Sequence, residues 1–420
     1  MRAPGHGASR PALSAWRFVT VFGTVSLLAD FVYEGARSIT GPLLASFGAT
    51  GLVVGTVTGI GEAAALGLRL VSGPLADRSQ RFWAWTIAGY ALTVLTVPLL
   101  GVVGTLWVAC ALVIAERVGK AVRSPAKDTL LSHATSVTGR GRGFAVHEAL
   151  DQVGAVIGPL TVAGVLALTG GDYAPALGVL ALPGAATLTL LVWLRLRVPD
   201  PRDYERYERE HGAAQAHPAR GHVRRLPAAF WRYCGFVALT MTGFTTFGLM
   251  SFHLVNHGLL PAAAVPVLYA ATMGADAVAA LASGWCYDRF GGKVVLALPI
   301  LSAAVAVFAF AGSVAAAVAG ALLWGAAVGI QESTLRAVVA DLVPSGRRAS
   351  AYGMFAAGLG AAAAVGGALT GWLYDVSVGA LIASVLGIQL LALAVAGASR
   401  VCWRRERQPS PRGHPTDIAR

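Results

Sequence analysis

Long apolar runs recur along almost the whole chain and leave little room for a fold that keeps its surface in water. About twelve of them approach the roughly 20 residues that a helix needs to cross a hydrocarbon core. They lie near 16–41, 52–76, 82–103, 105–123, 142–168, 175–195, 230–255, 262–286, 294–312, 314–340, 350–373 and 377–400. The stretch 294–340 is almost continuously apolar and divides at Gly312-Ser313. Charged residues make up only 13% of the sequence, against about a quarter in soluble domains. Barrel strands alternate strictly over short segments, which these runs do not. The expected fold class is an all-α membrane protein with twelve transmembrane helices.

The basic residues sort by loop. One side holds Arg78 and Arg81, Lys127 with Arg140 and Arg142, Arg289 and Lys293, Arg347 and Arg348, the central polar segment and both tails. The opposite loops, near 42–51, 169–174, 256–261 and 374–376, hold no Lys or Arg. Cytoplasmic loops carry the excess of Lys and Arg, so both termini are expected in the cytoplasm and the chain in a plasma (bacterial inner) membrane. The net charge of +12 thereby reads as orientation. No nucleic-acid partner is expected, since no aromatic-interleaved basic domain exists. Cys110, Cys234, Cys286 and Cys402 show no metal-ligand spacing and read as packing thiols; no metal and no cofactor are expected.

The most telling motif occurs twice. Gly73-Pro74-Leu75-Ala76-Asp77-Arg78-Ser79-Gln80-Arg81 and Gly284-Trp285-Cys286-Tyr287-Asp288-Arg289-Phe290-Gly291-Gly292-Lys293 each close an apolar run, 211 residues apart in a 420-residue chain. Span four carries Glu116, Arg117 and Lys120, and span ten carries Glu332 and Arg336. The loops Val137-Thr138-Gly139-Arg140-Gly141-Arg142 and Val343-Pro344-Ser345-Gly346-Arg347-Arg348 also correspond. Such duplication predicts a tail at 1–15, a six-helix bundle at 16–196, a linker with a short surface helix at 197–228, a second six-helix bundle at 229–400 and a tail at 401–420. Repeated halves are a construction of secondary transporters, with the substrate site between the repeats.

These residues resemble the major facilitator superfamily over nearly the whole chain. The first copy matches the family's loop two-three signature through Gly73, Leu75, Ala76, Asp77, Arg78 and Arg81, and the second through Gly284, Asp288, Arg289, Gly291 and Lys293. Gln80 departs from the glycine usual there. The resemblance implies two pseudo-symmetric bundles and a gate role for the signature, with simple topology anchoring as the alternative. Gly154-x-x-x-Gly158-Pro159 in span five resembles the antiporter signature of the exporters, although Val162-Ala163 stands where a glycine pair is usual. Close helix packing through small residues explains part of that segment by itself.

Ionisable residues inside a bilayer are costly and point to function by default. Asp30, Glu62, Glu116, Asp151 and Asp276 fall near mid-span, and Glu34, Arg37, Arg69, Arg117, Lys120, His147, Glu148, Glu332 and Arg336 lie within or near spans. Asp30, Glu34 and Arg37 share one face of span one; Glu116, Lys120 and Arg123 repeat that interval, and Glu62 shares a face with Arg69. Each admits two readings, a buried ion pair kept for packing or a proton carrier. Glu332 beside Arg336 favours the pair. Asp30 near Glu34, and Asp151 beside His147, suit proton transfer. Asp276 is the lone acid of span eight. His253 and His257 read as interfacial, and Phe22, Phe31, Tyr33, Phe244, Phe247 and Phe252 read as packing or cavity-lining aromatics.

A nucleotide-binding Gly-Lys-Ser/Thr loop, a nucleophile elbow and a zinc-protease motif are all lacking from the sequence, so an enzyme or ATP-driven pump is not expected. The expected function is secondary active transport of a small-molecule substrate by a monomer in the lipid bilayer. Protons are the coupling ion, and efflux by antiport is the direction. Uptake by symport and facilitation are the alternatives, and a non-transporting receptor or scaffold is the alternative of a different class.

Overall fold

The computed structural model describes residues 12–211, 226–344 and 347–398. The two tails with Cys402, the linker residues His217-Pro218 and Arg224-Arg225, and Ser345-Gly346 lie outside the described residues. Every described element is helical. In order they are α1 (Ala15–Ser46), α2 (Gly51–Gly67), α3 (Arg69–Ser79), α4 (Phe82–Leu100), α5 (Leu106–Thr138), α6 (Arg140–Leu168), α7 (Tyr173–Gly178), α8 (Ala181–Arg197) and α9 (Arg202–His211). Then come α10 (Ala228–Thr242), α11 (Phe247–Asn256), α12 (Val265–Phe290), α13 (Ala297–Ala309), α14 (Val314–Leu342), α15 (Arg348–Val376) and α16 (Val378–Ala398).

Hydroxyl side chains start several of these helices by accepting from otherwise orphaned N–H groups: Ser14 for α1, Thr50 for α2, Thr246 for α11 and Ser313 for α14. Among the described residues, ten helices, some continuing through a short break, are long and apolar enough to cross a membrane. The stretch Ala264–Ala309 among them contains two separate helices, α12 and α13. The outer surface is apolar, with Leu168, Leu182, Leu281 and Val102 among many exposed side chains. Apolar exposure on that scale fits lipid rather than water. The chain is a multi-pass membrane protein.

Several sequence-based boundaries are corrected. The fourth run was expected to end at 123, but α5 continues to Thr138 through Pro125, so Lys127 is a helical residue and not a loop residue. The second run is broken at Leu68, which puts Glu62 and Arg69 on separate helices. Asp77 and Arg78 belong to the last turn of α3; the turn itself is Gln80, held at φ 54. Tyr374 and Asp375 were expected in a loop and instead finish α15. The seventh run is interrupted at 243–246, where Gly243 and Thr245 offer backbone carbonyls to Ser302 and Trp324.

Helices α1–α8 precede α9 in sequence and α10–α16 follow it; these are the first and second halves. The halves meet chiefly along α2 against α15, α1 against α11, and α6 against α12. The loops divide into an arginine-poor end, at 47–50, 101–105, 169–172, 257–264, 310–313 and Ser377, and an arginine-rich end. At the arginine-poor end the contact is backbone to backbone. A Cβ on Gly55 would strike the Gly367 carbonyl, one on Gly59 would lie 2.6 Å from the Ala363 carbonyl, and one on Gly41 would strike the Gly248 carbonyl. Small residues of this kind let membrane helices approach closely.

Candidate functional site

A chain of charges lies along α1, α2 and α5 beside the seam between the halves. One oxygen of Glu62 is 2.9 Å from Arg37 and 3.3 Å from Arg117. Arg117 is also 3.3 Å from Glu116, and Arg37 is 3.6 Å from Glu34. The Tyr33 ring sits against three cations, with Lys120 at 4.1 Å, Arg117 at 4.6 Å and Arg37 at 5.9 Å from its centroid. Lysine and arginine are attracted to such ring faces, more so when desolvated. Glu34, Glu116 and Arg117 are all buried.

Two groups of the second half close over this chain. The Tyr269 hydroxyl donates to Glu34 across the seam, and the Trp324 ring lies 5.9 Å from the Arg37 guanidinium. Phe247 packs edge-on to Tyr269 with ring centroids 4.5 Å apart. The result is an aromatic wall facing an acid–base chain, at the meeting of the two halves.

A second cluster lies nearer the arginine-rich end. His147 is 2.8 Å from the Ser26 hydroxyl, which is itself 3.2 Å from Tyr90. Asp151 stands 3.6 Å from His147 and 3.9 Å from Lys127, so the expected His147–Asp151 pair is joined by a lysine that the loop assignment had hidden. His147, Glu148 and Asp151 bring possible metal-ligand atoms within 4.8 Å of one another, and Lys127 already supplies positive charge there. Asp30 has Asp151, Lys120, Glu34 and Arg123 as its charged surroundings. Asp276 meets Gln152 of the first half at 3.5 Å.

Other expectations are corrected. Glu332 and Arg336 are exposed and form no ion pair with each other. His253 is not interfacial: it is buried and lies 3.0 Å from the Tyr374 hydroxyl, which is 3.2 Å from His257. Asp77, Arg78, Arg81, Asp288, Arg289 and Lys293 are exposed. Gly73 and Gly284 have open space or ordinary contact around them. Gly154 and Gly158 press on the Leu27 and Phe31 carbonyls of α1, and Pro159 follows them within α6. That segment therefore sets the α1–α6 packing.

One residue that joins the halves was missed outright. The Asp375 carboxylate, at the end of α15, accepts from the backbone N–H groups of Gly51 and Leu52 at 2.7 and 2.8 Å. An acid of the second half thus caps the first turn of a helix in the other. The sequence signal was a lone acid in an otherwise uncharged loop.

Two helical halves in lipid, zipped at one end over a buried charged site, define a membrane transporter. The chain belongs to the Major Facilitator Superfamily, whose model matches residues 24–275 and 260–418. An uncharacterized protein of Mycobacterium tuberculosis (strain ATCC 25618 / H37Rv) is 72% identical over 395 residues, 94% of this chain and 96% of that protein. An uncharacterized MFS-type transporter of Methanocaldococcus jannaschii is 29% identical over 140 residues, 33% of this chain and 35% of that one. Among solved structures, the nucleoside transporter NupG superposes with a TM-score of 0.68 at 15% identity, covering 91% of this chain and 98% of that one. A bacterial homolog of the human lysosomal transporter Spinster gives 0.66 at 13% identity, covering 92% and 97%. At those identities the likeness speaks for the fold.

Proposed function

We propose that the chain is a proton-coupled secondary transporter of a small solute, working by alternating access with efflux as its direction. Its twelve spans are the ten apolar helices, α5 (whose charges face protein rather than lipid), and the separation of α12 from α13. The arginine-rich end is cytoplasmic by the positive-inside rule, so the present conformer is closed toward the outside. Efflux rests on the Gly154-x-x-x-Gly158-Pro159 segment. Asp30, Asp151 and Asp276 are further coupling candidates, and the twin Asp-Arg signatures are the gate on the cytoplasmic side.

The observation that carries the reading is the bond from Tyr269 to Glu34. It makes a buried acid part of the contact between the halves. A hydrogen bond to a carboxylate is worth about 1 kcal/mol more than one to a neutral acceptor. Losing either partner of the bond therefore weakens the closed outer end. An acid whose charge strengthens one conformer over the other is what coupling protons to a counter-moving solute requires.

Spin labels on the two halves at the outer end measure this. Glu34→Gln and Tyr269→Phe are each expected to lower the closed-to-open ratio by about fivefold while remaining folded. An unchanged ratio in both variants rejects Glu34 as the coupling acid. Comparing solutes accumulated by cells with and without the protein then identifies the cargo and its direction; net uptake rejects efflux.

Asp375→Asn is a separate expectation. Losing the negative charge at the first turn of α2 costs about 1 kcal/mol, and the loss falls on the closed outer end alone. The same label pair should show the open fraction rising about fivefold. Equal fractions in variant and parent reduce Asp375 to a surface acid.

A further inference from the structure

His253 and His257 stand four residues apart at the arginine-poor end of α11, with His257 as its C-cap. That spacing puts two side chains on one helix face, where a pair of histidines can share a metal. Their ring centroids are 4.2 Å apart. Tyr374, in the last turn of α15, brings a third polar atom to the pair. Its hydroxyl oxygen lies 3.0 Å from His253 Nδ1 and 3.2 Å from His257 Nδ1. Tetrahedral zinc bonds of about 2.0–2.2 Å set ligand atoms about 3.3–3.6 Å apart. Two edges of this trio are therefore a few tenths of an ångström short of a coordination shell.

Without a metal, two hydrogens hold the trio together. His257 Nδ1–H can donate to the His253 carbonyl at 3.2 Å, and the Tyr374 hydroxyl can donate to His253 Nδ1. A metal takes the place of the phenol proton, which leaves to solvent, while the His257 proton moves to Nε2. The far side of His253 suits a ligand as well. Its Nε2 is buried without a hydrogen-bond partner and has the Ala311 backbone nearby; a metal-ligating imidazole commonly turns its other N–H toward a carbonyl. Phe310 packs edge-on to His253, and Phe252 edge-on to Tyr374, at centroid distances of 5.2 and 5.7 Å, which holds both rings in place. Charge separates this trio from the other histidine cluster. Lys127 stands beside Asp151 and His147, whereas the loops near 256–261 and 374–376 hold no Lys or Arg. His257 is exposed, so an ion can enter from solvent.

We propose that His253, His257 and Tyr374 bind a divalent transition metal of the zinc class at the arginine-poor end, with water as the fourth ligand. Imidazole suits zinc and its neighbours, while magnesium and calcium take oxygen ligands. Tyr374 also touches the first half: a Cβ on Gly51 would lie 2.6 Å from its ring. A metal that fixes this ring therefore steadies the α2–α15 seam. The site is independent of the cargo and of the direction of transport.

Titration of Zn²⁺ into the full-length protein in mild detergent, followed by calorimetry, tests it. One tightest ion per chain is expected, with Mg²⁺ bound at least about a hundredfold more weakly. His257→Ala changes an exposed residue, and Tyr374→Phe keeps the ring against Gly51. Each should weaken that ion by about tenfold or more. Co²⁺ in its place should give the intense visible bands of a tetrahedral site, and each variant should lose them. Equal Zn²⁺ affinity in parent and both variants overturns the site, as does a parent that binds no Zn²⁺. A loss in His257→Ala with none in Tyr374→Phe overturns the three-ligand assignment. Displacement of Zn²⁺ by equimolar Mg²⁺ overturns the metal class.

Discussion

Replacing Gly55 with leucine is expected to hold the arginine-poor end open and to abolish most transport. A Cβ at residue 55 already collides with the Gly367 carbonyl of the other half, and a backbone oxygen in a helix cannot swing aside as a side chain can. Forcing extra atoms into a packed contact costs about 1–3 kcal/mol, and the cost falls on one conformer only, since the seam separates in the other. The closed-to-open ratio should drop by about tenfold to a hundredfold. Spin labels at Leu52→Cys and Trp372→Cys, on exposed positions of α2 and α15, report the change as a longer distance. Gly67→Leu is the control, because a Cβ there meets nothing within 4 Å on the same helix. A short distance retained in Gly55→Leu, with transport intact, would mean that the α2–α15 seam is not a gate.

That seam shows what the sequence could and could not reveal. Hydropathy marks a segment by what it would cost in lipid, so α1, α4 and α16 stand out at once. It finds only the first part of α5, up to 123, where Glu116, Arg117 and Arg123 are buried against protein, and stops at the later turns, which carry Lys127 and His133. The last of these is 2.9 Å from Glu205 in α9. Charge there signals burial among partners, yet reads as a loop. Cross-half contacts were invisible for another reason: Asp375 lies 324 residues from Gly51, and Tyr269 lies 235 from Glu34, beyond any local periodicity. The four-residue spacing of Gly51, Gly55 and Gly59 was the readable trace of the seam, because small residues so spaced line one helix face. The acids and bases of α1, α2 and α5 were legible as candidates by residue type. Their pairing depended on side-chain reach, which joined Arg37 and Arg117 on one oxygen of Glu62 rather than along single helices.

Glu62→Gln is expected to be among the most destabilising neutral substitutions in the first half. Glu34, Arg37, Glu62, Glu116, Arg117 and Lys120 form a balanced set of three acids and three bases. Gln at residue 62 keeps the shape and removes the charge shared by two guanidiniums, leaving Arg117, with a side chain 7% exposed, short of a counter-ion. Breaking a fully buried pair costs about 3–5 kcal/mol; Glu62 is 28% exposed, so screening reduces the expectation to about 2–3 kcal/mol. In purified protein the apparent Tm should fall by about 5 °C. Arg37→Gln in the same chain restores neutrality, so the double variant should recover at least half of that loss, a coupling that a double-mutant cycle isolates. Glu332→Gln, at an exposed residue without an ion pair, should stay within about 0.5 kcal/mol of the parent. A double variant no better than the sum of its singles would show that the Glu62 cluster is held by packing and that its charges are not balanced against one another.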